Sequence, residues 1–181
     1  MNNTELPAIG IGSEFVGGVN YNGSFNSTEI GDDDFIGITF GYEDSSNFFV
    51  LFGAKFNTSN NWWTNQQFKI TKVASTTGLN GPAMRQAIAS STSVPGQTEI
   101  LWKDDENRGW QPNKKYNWKL QHRPASGSLK LELFEESTLL FNTGKLMTNG
   151  TTNEGKLGVF TSTQPKTFWY DMFYECDDSE L

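Results

Sequence analysis

The chain has 181 residues and a formal net charge of −7, from 14 Lys plus Arg against 21 Asp plus Glu. That length suits one domain with a substantial core, and an acidic balance without a basic run argues against nucleic-acid binding or attraction to acidic membranes. One His (His122) and one Cys (Cys176) exclude a His/Cys zinc cluster and an intrachain disulfide framework, and no apolar run approaches the ~20 residues of a membrane helix, so no membrane insertion is expected.

Taken in chain order, residues 1–13 read as a lead-in segment ending in the Gly-rich AIGIG; the start has neither the basic segment nor the apolar run of a signal peptide. Residues 19–27 alternate in part and predict a strand. After the acidic run Asp32, Asp33, Asp34, residues 34–52 predict a β-hairpin. Ile36, Ile38, Phe40 and Tyr42 are expected on one face, with a turn over 43–46 that Asp44 stabilises through its own backbone. Residues 66–73 predict a strand with Phe68, Ile70 and Lys72 on one face. Pro82 starts the one convincing helix, about 82–89. Strands follow over 97–102, 116–122, 128–134, 138–142, 156–161 and 167–175. In the last of these Phe168, Tyr170, Met172 and Tyr174 alternate with Trp169, Asp171 and Phe173. The tail 177–181 is acidic and expected to be solvated and mobile.

Fourteen Phe, six Trp and five Tyr beside 18 Gly, with a mean hydropathy of −0.54, favour many short strands with tight turns and disfavour disorder. The expected fold is all-β: an antiparallel sandwich or jelly roll of one domain over 1–181. Sequons at Asn2, Asn22, Asn26, Asn57 and Asn149 fit either a secreted glycoprotein surface or chance in an Asn/Ser/Thr-rich chain.

DDDFIGITFGYEDSSNFFVLF resembles the start of the C-terminal, lectin-like domain of thrombospondins. ASTTG (74–78), PGQTEILWKDDENRGW (95–110), QHRPASG (121–127), GKLGVF (155–160) and FYEC (173–176) follow in the same order, so the resemblance covers about residues 8–176. It implies a concanavalin-like (L-type lectin-like) jelly roll. It further implies a non-catalytic, extracellular role in adhesion or matrix contact, secreted or at the cell surface, within a longer multidomain chain. Calcium is implied at the loop edges. The family pattern also implies a Cys near the start that pairs with the residue matched by Cys176. Here residues 3–5 are Asn3, Thr4 and Glu5, Ala74 stands where the family has a glycosylated Asn, and the acidic repeats that precede the domain in the family are not in this chain.

Three constellations carry candidate chemistry. Asp32, Asp33 and Asp34 repel one another, and a calcium ion, which takes about 6–8 oxygen ligands, would relieve that; a solvated acidic turn is the alternative. The loop from Trp102 to Trp110 carries Asp104, Asp105, Glu106 and Asn107. It reads as a second calcium site (Asp104, Asp105), as a sugar site (Asn107, Trp110), or as a turn in which Arg108 pairs with an acid. Asn61, Trp62 and Trp63 offer a stacking platform beside an amide, matched to a glycan, or a plug at the end of the sandwich. His122 reads as structural, and Cys176, flanked by acids, as a poor nucleophile. Glu132 and Glu136 share a strand face, but surface decoration explains them better than the paired carboxylates of a glycoside hydrolase. The expected function is calcium-dependent adhesion to a glycan or a surface or matrix protein. The alternatives are a calcium-stiffened spacer and a polysaccharide hydrolase.

Overall fold

The computed structural model of the chain describes residues 7–31, 34–55, 67–76, 81–148, 154–162 and 164–181. Among them the strands are β1 (Pro7–Val16), β2 (Val19–Ser27), β3 (Phe35–Asp44), β4 (Asn47–Ala54), β5 (Lys69–Ala74), β6 (Thr98–Lys103), β7 (Tyr116–Arg123), β8 (Ser128–Glu135), β9 (Thr138–Asn142), β10 (Leu146–Met147), β11 (Gly155–Ser162) and β12 (Thr167–Cys176), with one helix, α1 (Gly81–Ala89). The first sheet runs β1-β11-β3-β4-β5-β6; the second runs β10-β8-β7-β2-β12, with β9 paired to β8. All these strand pairs are antiparallel, and the result is the expected jelly-roll sandwich.

The inner faces of the two sheets close on Ile36, Ile38, Phe40, Phe49, Leu51, Phe68, Ile70, Trp118, Leu120, Leu129, Leu131 and Leu133, all buried. Each such side chain contributes about 1.5–3 kcal/mol on burial. The first sheet is apolar on its outer face too. Phe35, Phe48, Val50, Phe52, Val73 and Phe160 form a second cluster under Met84, Ala87 and Ile88 of α1. This explains the unbroken run Phe48–Phe52, since a strand covered on both faces has no reason to alternate.

The sequence reading locates most elements within a residue or two and misses β1 and β10. Pro7–Val16 is an edge strand whose residues are mostly half-buried or exposed, so no hydrophobic period marks it. The hairpin departs in one detail. Gly41 takes φ +56, a left-handed conformation that suits glycine, and the β3/β4 register shifts between Phe40 and Asp44. The bulge turns Tyr42 out of the inner core and onto the helix-side cluster, against Phe48. A second bulge, at Asp171 (φ +54), breaks the alternation expected for β12.

The tail is docked where a mobile one was expected. Arg123, 3 % exposed, donates from Nη2 to Asp177 Oδ2 at 2.6 Å and from Nε to the Ser179 carbonyl at 2.7 Å. Gly18 N–H donates to Asp178 at 2.9 Å. Bonds from Ser179, then Asn20 and Arg123, hold the Asp177 carboxyl down to about 2.

Candidate functional site

The structure brings Asp34 and the Trp102–Trp110 loop together at one end of the sandwich. Trp110 lies between them. Its indole N–H donates to the Asp34 carbonyl at 2.9 Å, and its backbone N–H donates to Ala54 at 3.0 Å. The loop is stitched to β5 by Phe68 N–H to the Arg108 carbonyl (2.8 Å) and Asp104 N–H to the Phe68 carbonyl (2.9 Å). At 1 % exposure Trp110 belongs to the core, which corrects its expected place in a sugar site: a ring this enclosed offers no face to a ligand from solution.

Asp104 is buried, and both its oxygens go to Arg108. Oδ1 takes Nη2 at 2.5 Å, and Oδ2 takes Nε at 3.0 Å and the Arg108 backbone N–H at 2.8 Å. Arg108 also pairs with Glu106 at 3.3 Å and donates to the Leu140 carbonyl. Burial alone would raise the Asp104 carboxyl, but the bonds from Arg108 outweigh it and hold the group below its usual value. A cation here would have to displace a bidentate guanidinium. The donor set at Asp104 therefore does not fit calcium, and the expected metal role of Asp104 gives way to the arginine-paired turn, a pairing in which Asp105 takes no part. Asp105 and Asn107 are exposed, Asn107 in the left-handed region at φ 56.

Asp34 is 5 % exposed, and its Oδ1 accepts from Arg85 Nη2 of α1 at 2.7 Å. Its backbone N–H donates to Gln164 at 3.2 Å. One oxygen of the third aspartate is thus already neutralised by an arginine, a role for Arg85 that nothing local in the sequence signals. Asp32, Asp33, Asn61, Trp62 and Trp63 lie outside the described residues. Among the described residues no three His, Cys, Asp or Glu side chains group around a common point.

Asp44 accepts from Ser46 N–H at 2.7 Å, capping its own turn as expected. His122 is buried between Phe40 and Phe49, edge-on to both. Burial, then Arg123, pushes its pKa down to about 4, which keeps it neutral and structural. Glu132 is held by Asn142 Nδ2 at 2.8 Å and Lys130 at 3.3 Å, and Glu136 accepts from the Lys115 backbone N–H at 3.0 Å. Cys176 is exposed and free.

Residues 1–178 match the family model described as the thrombospondin C-terminal region. Thrombospondin-3b of Danio rerio is 34% identical over 96% of this chain and 19% of its own length. Cartilage oligomeric matrix protein of Homo sapiens is 32% identical over 96% of this chain and 23% of its own. The chain thus spans about a fifth of the length of these relatives. Two solved structures share the fold at low identity. A carbohydrate-binding module from Bacillus subtilis has a TM-score of 0.58 at 10% identity, covering 96% of this chain and 84% of that one. A legume lectin-like domain from Entamoeba histolytica has a TM-score of 0.54 at 8%, covering 98% and 82%.

Proposed function

Because the chain belongs to the thrombospondin C-terminal family, a family of secreted matrix proteins, we propose that it is a non-catalytic adhesion module that binds a glycan or a surface or matrix protein. The observation that carries this reading is family membership over nearly the whole chain, on a sandwich with a continuous packed core. Such a scaffold presents its surface groups already ordered, so little entropy is lost when a partner docks. The low-identity carbohydrate-binding and lectin-like neighbours support the fold alone.

Calcium is proposed at the acidic run. Asp32, Asp33 and Asp34 would supply carboxylates, and the ion would neutralise their mutual repulsion and stiffen the approach to β3. The Asp104 loop, closed by Arg108, is left out of this site. The experiment is a thermal melt in calcium and in EDTA. The wild type is expected to melt higher in calcium, and Asp33→Ala with Asp34→Ala to lose that difference. An unchanged calcium-dependent shift in the double variant removes the site. Trp63→Ala is expected to weaken partner binding more than it weakens the fold; equal loss of both would make Trp63 a core residue.

A further inference from the structure

We propose that the outer face of the second sheet is a binding platform for a neutral oligosaccharide; this deepens the adhesion reading and rests on it. Among the described residues no element packs over this face, whereas α1 covers the outer face of the first sheet.

Strand register fixes what the face presents. Glu175, Asn20, Gln121 and Lys130 stand in one cross-strand row, and Phe173, Asn22, Lys119, Glu132 and Asn142 in the next. A third row runs from Tyr170 through Ser24, Asn117 and Phe134 to Leu139. Asn20, Gln121, Lys130 and Glu175 of the first row and Asn22, Lys119 and Glu132 of the second line a depression of about 280 Å³, just under the ~300–1,000 Å³ of small-ligand sites and suited to a short saccharide; Phe173 stands beyond its rim.

The groups in it are of two kinds. Some are fixed. Asn20 is held by Asp177 and Arg123, and Glu132 by Asn142 and Lys130. Between them, Asn22 and Gln121 are half-buried and make no side-chain hydrogen bond with the described residues. An amide offers both donors and an acceptor, which matches a hydroxyl that does both. Beyond the rim, exposed Phe173 (57 %) gives the edge an apolar ring that suits the C–H face of a sugar ring, whereas half-buried Tyr170 carries the Lys115 ammonium over its ring, 4.9 Å from the centre.

Charge selects the class. The depression holds two lysines (Lys119, Lys130) and two glutamates (Glu132, Glu175), which cancel. A sulfated or uronic glycan would find no net positive field here. A cation would find Glu132 already engaged. A neutral, hydroxyl-rich chain requires neither.

The test is a two-dimensional NMR titration of the chain expressed without glycosylation, since Asn22 and Asn26 stand in sequons. The probes are neutral cello-, xylo-, manno- and galacto-oligosaccharides, with chondroitin sulfate as the acidic counterpart. At least one neutral probe is expected to shift the backbone amides of Asn22, Lys119, Gln121 and Glu132 saturably. Asn22→Ala with Gln121→Ala is expected to weaken it about tenfold or more at an unchanged melting temperature, as for truncated central contacts. Shifts confined to other surfaces, a response to chondroitin sulfate only, or no response to any probe would each overturn the platform. The melt in calcium and EDTA reads the calcium site separately. A silent sheet face beside an intact calcium shift sinks only this inference, and the reverse result sinks only the calcium site.

Discussion

The two outer faces of this sandwich have opposite character. On the first sheet, Phe35, Phe48, Val50, Phe52 and Phe160 make a continuous apolar surface sealed by α1. On the second, amides, lysines and glutamates alternate with the inward Trp118, Leu120, Leu129, Leu131 and Leu133 and stay open to solvent. One face is committed to stability. The other contributes little to it and is free to be shaped by a ligand.

The contrast breaks most sharply under the helix. Ile88→Ala removes a side chain at 1 % exposure and should cost about 2–5 kcal/mol, as large-to-small core changes do; urea unfolding measures it. A similar loss from Gln121→Ala would erase the distinction between the faces.

Lys69 sharpens it through pH. It is buried on the helix side, donates to the Ser90 carbonyl and lies 5.0 Å from the centre of the Phe52 ring. Burial, then Lys103, pushes its pKa from 10.5 down to about 8. Over that window the unfolded chain keeps a proton that the folded chain has lost, so this group makes stability rise as pH rises from about 8 toward 10.5. Melts across pH 8 to 10 should show that rise in the wild type and a flatter profile in Lys69→Met. Identical profiles would mean that Lys69 stays charged.

The end loops are common to both sheets. Asp104→Asn removes the buried carboxylate of the Arg108 pair, leaving only exposed Glu106, and should cost about 1–3 kcal/mol, equally in calcium and in EDTA; a loss seen only in calcium would restore a metal role to Asp104. The smallest effects belong to the open face. Lys119→Ala and Glu132→Ala should each change stability by less than about 0.5 kcal/mol, and a larger value by urea unfolding would make the face structural.

How much of this was legible from the sequence follows from the range of each signal. Elements with a clear period, such as 116–122 and 128–134, match the structure almost to the residue, whereas the apolar run of β4 reads from sequence only as the return strand of a hairpin, and its double coverage emerges from the fold. The bulges at Gly41 and Asp171 were hidden because a left-handed residue reverses a face without changing composition. The pairings Arg85–Asp34 and Arg123–Asp177 span 51 and 54 residues, beyond any local pattern. Trp110 looked like a surface ring because its neighbours are polar, yet the fold turns it inward to the Asp34 carbonyl. Asn22 and Gln121 escaped notice for the opposite reason: polar alternation in a strand reads as plain solvent exposure, and only the register sets them side by side.

The most direct measurement is a glycan array probed in calcium with the unglycosylated chain and with its Asn22→Ala, Gln121→Ala variant. The wild type is expected to retain a defined set of neutral glycans, and an equally stable variant to lose that signal. A blank array, or a signal that the variant keeps, would contradict the claim that the open sheet face is the binding face.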